Sequence, residues 1–219
     1  YVFDLGDRED HVPRREQLHK LGQYILEGSK PGAAAAAVHV THKVLPLDNE
    51  GIGRLVRLTL RSCERFWDSA RIMAERLADR VTLVVPFEPD SNLICLSLNP
   101  TGNRDLAQMN AFSRRVFAHM RVDASQPVQA KTFIGSYTSL EHGKLPGGQA
   151  DRILGALGID PATFVSVPKN PEREADHLYM LRHTLMNPWL LDGPGEHSYI
   201  DLYWKYMDEV IDDVLAEAS

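Results

Sequence analysis

The segment after Gly51 carries the strongest amphipathic helical pattern in the chain, over about seven turns. Its apolar residues recur at steps of three and four: Ile52, Leu55, Val56, Cys63, Phe66, Trp67, Ala70, Met73 and Leu77. This spacing places them along one side of an α-helix. The pattern therefore predicts a long helix that buries this side against a core.

Short β-type runs follow this helix. Residues 81–86 and 92–98 are rich in aliphatic and β-branched side chains, and a Pro-Asp-Ser turn sequence separates them. We therefore expect a hairpin or an adjacent strand pair. Further strands are predicted at 131–138 and 178–186 because the same kind of composition recurs there.

Helices are expected on either side of these strands. They are predicted over residues 31–45, 101–121, 151–157 and 199–215, with Thr101-Gly102-Asn103 as the cap of the second. Strands that alternate irregularly with long helices predict an α+β domain, in which helices cover one face of a mostly antiparallel sheet. Residues 1–47 do not fit naturally into that unit, so they are predicted to be the end of a preceding domain.

Composition excludes several classes of protein. The net charge of the 219 residues is −6 and the basic residues are scattered, which argues against a nucleic-acid partner. The two cysteines, Cys63 and Cys95, have no metal or redox spacing, and the histidines lack metal-binding motifs. Without a membrane-length apolar run or a signal peptide, a cytoplasmic location is expected.

The sequence Gly28-Ser29-Lys30-Pro31-Gly32 is a candidate anion-binding helix start. Ser29 is placed to cap the helix, Pro31 is tolerated in its first turn, and the free N–H groups favour a phosphate or carboxylate. An ordinary capped helix with a solvated lysine explains the same residues. The alanines at 33–37 add high helix propensity and allow close packing, as at a domain or subunit interface.

Arg182 lies within the predicted strand at 178–186, where neither face is otherwise polar. If the strand is buried on both sides, this arginine needs an anion, which is either an internal carboxylate or a substrate carboxylate. His183 points to the opposite face. It is either a hydrogen-bonded core residue or part of a site wall.

Three segments resemble the C-terminal portion of group II pyridoxal-phosphate-dependent amino-acid decarboxylases, most closely the bacterial tyrosine decarboxylase type. They are YILEGSKPGAAAAAVHVTHKVLPLD, the GIG that opens the long helix, and YMLRHTLMNPWL before the terminal helix. The resemblance implies the small C-terminal α+β domain of a fold-type-I enzyme over residues 48–219. Residues 1–47 would then end the large cofactor-binding domain and include an interface helix.

The resemblance also implies roles for individual residues. Ser29, with Gly28 and Lys30, would hold the cofactor phosphate of a partner subunit in a homodimer. Arg182 would bind the substrate carboxylate, and His183 and Thr184 would line the substrate pocket. The expected reaction is decarboxylation of an aromatic L-amino acid such as tyrosine to an amine.

The cofactor-binding lysine of this family lies in a D-P-H-K-type motif, which does not occur in these 219 residues. The resemblance therefore implies that this chain binds pyridoxal phosphate poorly and is inactive without the upstream domain. Two alternatives remain open. In the first, the intact protein is another fold-type-I enzyme, either a carbon–carbon lyase or an aminotransferase. In the second, this segment is a non-catalytic folding and dimerisation module.

Overall fold

The described part of the chain begins with a single helix that precedes the main folded unit. The computed structural model describes residues 31–123, 127–168, 170 and 173–217, and the chain divides into the units Tyr1–Arg54 and Leu55–Ser219. Helix α1 (Gly32–Val44) confirms the predicted helix and contains no buried residue. Pro31 is its N-cap rather than a first-turn residue, and Ser29, the predicted cap, lies outside the described residues. The assignment of residues 1–47 to a larger domain stays a prediction.

Helix α2 (Ile52–Arg76) confirms the predicted amphipathic helix. Its start depends on Gly51, because a Cβ atom there would lie 2.0 Å from the carbonyl oxygen of Pro46. That oxygen accepts a hydrogen bond from the backbone N–H of Ile52 at 2.9 Å. Farther along, the predicted stripe is buried at Cys63, Phe66, Ala70 and Met73, whereas Val56 is 50% exposed.

The sheet has four strands in the order β1-β2-β4-β3, and every neighbouring pair is antiparallel. The strands are β1 (Val81–Val84), β2 (Leu93–Pro100), β3 (Ser136–Glu141) and β4 (His177–Thr184). The β1–β2 pairing confirms the expected strand pair. The strand predicted at 131–138 begins later, at Ser136. The reason is that Gly135 donates its backbone N–H to the carbonyl of Met120, which ties the preceding segment to a helix.

Three further helices complete the second unit: α3 (Leu106–Met120), α4 (Gln149–Leu157) and α5 (Tyr199–Ala216). The cap of α3 was predicted wrongly at 101–103. Its N-cap is Asp105, which accepts a hydrogen bond from the backbone N–H of Gln108 at 3.0 Å. Asn103 lies in the preceding turn, where its amide donates to Asn99 at 2.7 Å. Helix α5 begins with a capping box between Ser198 and Asp201.

Helices cover both faces of the sheet, not one as predicted. Side chains of β2 and β4 alternate between two hydrophobic clusters, as a pleated strand requires. Leu96 and Leu181 pack with α2, α5 and the later turns of α3, whereas Leu178 and Met180 on the opposite face pack with α4. Residues at the middle of β4 are therefore buried from both sides.

The two cysteines, Cys63 and Cys95, are buried free thiols on opposite faces of this layered unit. Burial raises the pKa of both thiols, and the neighbouring Glu64 raises that of Cys63 further.

Within the described ranges, none of the helices combines the length and the apolar character needed to cross a membrane.

Candidate functional site

A cavity of about 350 Å³ opens at the end of β4, next to the start of β3 and the first turns of α5. Cavities that hold small molecules have volumes of about 300–1,000 Å³, so this one is large enough for a ligand of amino-acid size. Its wall includes Arg182, His183 and Thr184, the three residues predicted to bind substrate. The structure brings these residues together, and their substrate role stays a prediction.

Arg182 is exposed, which corrects the expectation that the strand buries it. The residues of β4 from Leu178 to Leu181 are buried, whereas Arg182 and Thr184 are exposed and His183 between them is partly buried. Arg182 Nε donates to Ser136 Oγ at 3.3 Å, and that hydroxyl donates to the carbonyl oxygen of Arg182 at 3.0 Å. No carboxylate among the described residues forms an ion pair with this guanidinium. Arg182 is one of the residues that line the cavity, and its side chain lies on the face of β4 that carries Met180, where it is close enough to Cys95 to lower the pKa of that thiol.

His183 combines the two roles that the sequence left open, since it is hydrogen-bonded inside the protein and also lines the cavity. Its Nε2 shares a hydrogen bond with Tyr203 Oη, and its ring lies 5.0 Å from the ring of Phe66. Burial lowers the pKa of His183 to about 4, so the imidazole is neutral at pH 7. Burial also raises the pKa of Tyr203 and keeps its phenol protonated.

The sequence did not identify the aromatic residues that line the same cavity. These are Phe66 of α2, Phe133 of the segment before β3, and Tyr199 and Tyr203 of α5. Phe66 and Tyr203 belong to amphipathic stripes, and Phe133 lies in a β-type run. A cavity wall and a solid core both require apolar side chains at these positions, so no local signal separates them.

Arg182 supplies the one permanent charge among the described residues that line the cavity, and none of those residues is an aspartate or glutamate. Neutral polar groups come from Ser136, Thr184 and Asn187. The side-chain oxygen of Asn187 accepts a hydrogen bond from the backbone N–H of Trp189 at 3.0 Å, which fixes the amide at the rim. The cavity is thus apolar and aromatic inside, with a cation at its edge.

The predicted phosphate-binding residues Gly28, Ser29 and Lys30 lie outside the described residues. The described start of α1 has no acidic residue in its first turn, and a Cβ atom at Gly32 would meet no other atom within 4 Å. An approaching anion therefore finds neither like charge nor steric obstruction there. Over the part of the chain that the structure describes, no group of three or more His, Cys, Asp or Glu side chains is arranged to hold a metal ion.

Fold and cavity together define a small α+β domain with a cavity that is lined by aromatic side chains and one arginine. Residues 64–215 match the family described as "Tyrosine decarboxylase, C-terminal". This match covers more than half of the chain and includes all four strands. The chain belongs to that family, which confirms the resemblance seen in the sequence.

Three proteins named L-tyrosine decarboxylase are similar to the chain. The protein from Levilactobacillus brevis is 30% identical over 194 residues, which cover 87% of this chain and 28% of that protein. The Enterococcus faecalis protein is 28% identical over 98% of this chain and 32% of its own length. The Enterococcus faecium protein is 27% identical over 89% of this chain and 30% of its own length. The chain thus spans about 30% of the length of the curated relatives that it matches.

Proposed function

We propose that the intact protein, of which this chain forms the C-terminal part, is a pyridoxal-phosphate-dependent decarboxylase of aromatic L-amino acids such as tyrosine. It would release carbon dioxide and an amine. One observation carries the proposal: in a member of this family, the three predicted substrate residues lie on one cavity of ligand size. The similar proteins of this family are named L-tyrosine decarboxylases, which supports tyrosine as the first substrate to test.

Arg182 is the residue that binds the substrate carboxylate in this proposal. Its Nε is engaged by Ser136, which orients the guanidinium while its two terminal nitrogens stay available for a carboxylate. A carboxylate held by two parallel hydrogen bonds is fixed in orientation as well as in position. Arg182 would therefore set the direction of the bond that breaks. Thr184 and His183 would contribute to the wall beside it.

The described residues at the start of α1 fit a bound phosphate group. The backbone N–H of Ala34 donates to the carbonyl oxygen of Pro31 at 3.1 Å, whereas the N–H groups that precede it at a helix start lack intrahelical acceptors. No acidic residue lies in this first turn. Gly28, Ser29 and Lys30, which precede this turn, would add a hydroxyl and a cation. When bound, pyridoxal phosphate supplies the electron sink that accepts the electrons left by departing carbon dioxide.

The proposal includes a homodimer and an upstream domain. Ser29 and Lys30 would hold the cofactor of the partner subunit, and the upstream domain would provide the lysine that bears it. Helix α1 has no buried residue and exposes Val38, Val40 and Val44, which supports an interface role for this apolar helix. We place the protein in the cytoplasm and expect the 219-residue chain alone to be inactive.

The proposal is tested by incubating the full-length protein with pyridoxal phosphate and L-tyrosine, and then with other aromatic and aliphatic amino acids. Carbon dioxide and amine are measured in parallel. Equal amounts of carbon dioxide and tyramine from tyrosine would support it. With an added 2-oxo acid as amino acceptor, 4-hydroxyphenylpyruvate formed without carbon dioxide would identify an aminotransferase. Phenol with pyruvate and ammonia would identify a carbon–carbon lyase, and either result would overturn the proposal.

The role of Arg182 has its own test. We expect Arg182→Gln to lower kcat/KM about 10- to 100-fold, the range that follows from losing a charged hydrogen bond of about 1.5–3 kcal/mol. Arg115→Gln, which removes an exposed arginine of α3, is the matched control. A value for Arg182→Gln within twofold of that control would exclude carboxylate binding by this residue. Activity of the 219-residue chain alone would show that the upstream domain is dispensable.

A further inference from the structure

A second concave site lies between helix α2 and the segment that joins β1 to β2. It has a volume of about 540 Å³, within the range of small-molecule sites, and none of its described lining residues also lines the cavity at the end of β4. We call it the acidic groove because four carboxylates line it, two from α2 and two from the β1–β2 segment: Glu64, Asp68, Glu88 and Asp90.

The charge of the acidic groove is not balanced by its own lining. The described lining contains no arginine, lysine or histidine. None of the four carboxylates forms an ion pair with a described residue, and Arg61 and Arg71 of the same helix lie outside the lining. A cleft lined by charges of one sign attracts the opposite charge. The groove therefore favours a cation.

The remaining lining favours an organic cation over a metal ion. Leu60, Trp67 and Pro89 add apolar surface, and an indole ring attracts a cation to its face. Cys63 is 3% exposed and a free thiol without a hydrogen bond to any described residue, so its sulfur can accept one from a ligand N–H. Over the described residues, no group of His, Cys, Asp or Glu side chains is arranged to hold a metal ion. An ammonium group joined to an apolar body matches both parts of this lining.

We propose that the acidic groove binds a primary arylalkylammonium ion, the chemical class of the amine that the proposed decarboxylation releases. This goes beyond the proposed function and rests on it only for the source of the amine. Loss of the carboxylate as carbon dioxide, with uptake of one proton, turns a zwitterionic amino acid into a cation. The carboxylates of the groove attract that cation, whereas they repel the carboxylate of an amino acid. The groove is thus a site for product rather than for substrate.

The first measurement is binding without catalysis. The full-length protein is titrated calorimetrically with tyramine and with 2-(4-hydroxyphenyl)ethanol, which has the same ring but no ammonium group. We expect Glu64→Gln/Asp68→Asn to weaken tyramine binding about three- to thirtyfold, as loss of two exposed ion pairs implies. Glu209→Gln/Asp213→Asn removes two exposed carboxylates one turn apart on α5 and should change it less than twofold. Binding should also weaken between about 0.05 and 0.5 M NaCl, because salt screens exposed charges.

Trp67 shows where the amine binds. In protein labelled with 5-fluorotryptophan, the fluorine NMR signal that is missing from Trp67→Phe belongs to Trp67. We expect this signal to shift with tyramine but not with the alcohol, and the shift should weaken in Glu64→Gln/Asp68→Asn. The inference is refuted if tyramine binds without shifting the Trp67 signal, or if the α2 double variant loses no more affinity than the α5 control.

The outcomes also distinguish this inference from the proposed function. If tyramine shifts the Trp67 signal but the full-length protein releases no carbon dioxide from any amino acid, the groove remains an amine site and the decarboxylase proposal fails. If the protein decarboxylates tyrosine and tyramine leaves the Trp67 signal unshifted, only the amine site fails.

Discussion

His183 of β4 and Tyr203 of α5 are joined by a hydrogen bond between Nε2 and Oη, and their rings meet edge to face at 5.1 Å. The pair connects the end of a central strand to the closing helix, 20 residues later in the chain. Both groups are neutral at pH 7, so the bond adds no charge to the cavity. It fixes the position of two of the rings that line the cavity.

Removing the hydroxyl of Tyr203 should destabilise the protein. In Tyr203→Phe, Nε2 of His183 stays buried and loses its hydrogen-bond partner, which costs about 1–3 kcal/mol. Urea unfolding measures this change in the free energy of unfolding. Tyr206→Phe, which removes a hydroxyl from the same helix, is the matched control. Equal stabilities for the two variants would show that the bond contributes nothing.

The buried imidazole of His183 predicts a loss of stability in acid. Its pKa is about 4 in the folded protein and 6.5 in the unfolded chain, so the unfolded chain binds more protons between these values. Stability therefore falls as the pH is lowered from 6.5 towards 4, by about 3 kcal/mol from this group. NMR titration of His183 should show no protonation above about pH 5.

A variant separates this contribution from that of the other histidines. In His183→Phe the free energy of unfolding should depend less steeply on pH between 6.5 and 4, because the titrating group is gone. His119→Phe, outside the cavity, serves as the control. The assignment fails if both variants keep the slope of the unsubstituted protein.

Local patterns predicted most of the fold because the period of a helix or strand depends on neighbouring residues. Helix α2, the β1–β2 pair and helix α5 all follow from such patterns. The start of β3 was missed since the ladder with β4, not the β-type composition around Phe133, decides which residues pair. Helix α4 itself was predicted, but its place on the second face was not, because composition does not show which face of a sheet a helix covers.

The candidate site was predictable only in part. The sequence drew attention to Arg182, His183 and Thr184, but it placed Arg182 in the interior. Local composition does not reveal which residues of a strand are covered, and in β4 the side chains of Arg182 and Thr184 are exposed whereas Leu178 to Leu181 are buried. The aromatic residues that line the cavity lie up to 137 residues apart in the chain, from Phe66 to Tyr203, so only the folded structure brings them together.

The ion pairs that Asp208 and Asp212 of α5 form near the end of α2 should contribute to stability by different amounts. Asp208 accepts hydrogen bonds from Arg76 at 2.5 Å and from Arg80 at 2.7 Å, and its side chain is 15% exposed. Asp212 also pairs with Arg80, but its side chain is 59% exposed. We expect Asp208→Asn to cost about 1–3 kcal/mol and Asp212→Asn less than about 1 kcal/mol.

The salt dependence of the free energy of unfolding tests this ranking of the two ion pairs. Exposed ion pairs are screened at high ionic strength, whereas partly buried pairs are screened much less. In urea unfolding with and without about 0.5 M NaCl, the cost of Asp208→Asn should therefore persist, and that of Asp212→Asn should disappear. Equal costs for the two variants at low salt would contradict the ranking by burial.

Asn110 of α3 should be the most sensitive polar residue in the described core. Its side chain is fully buried, and its amide donates to the carbonyl oxygens of Glu174 at 2.6 Å and His177 at 2.7 Å. Its side-chain oxygen accepts from the backbone N–H of Tyr179 at 3.0 Å. These bonds hold the start of β4 on α3, because they satisfy three backbone groups that would otherwise be buried without partners.

Replacing this amide with a carboxylate keeps the shape of the side chain but replaces its hydrogen-bond donor with a charged acceptor. In Asn110→Asp, an oxygen faces two carbonyl oxygens and a charge is buried, so we expect a loss of at least about 3 kcal/mol at pH 7. A protonated carboxyl recovers one of the two donors, so the loss should shrink as the pH is lowered towards about 4. Gln108→Glu, an exposed amide-to-acid change on the same helix, should alter stability by less than about 0.5 kcal/mol. A similar small effect for Asn110→Asp in urea unfolding would mean that β4 is held by its strand neighbours alone.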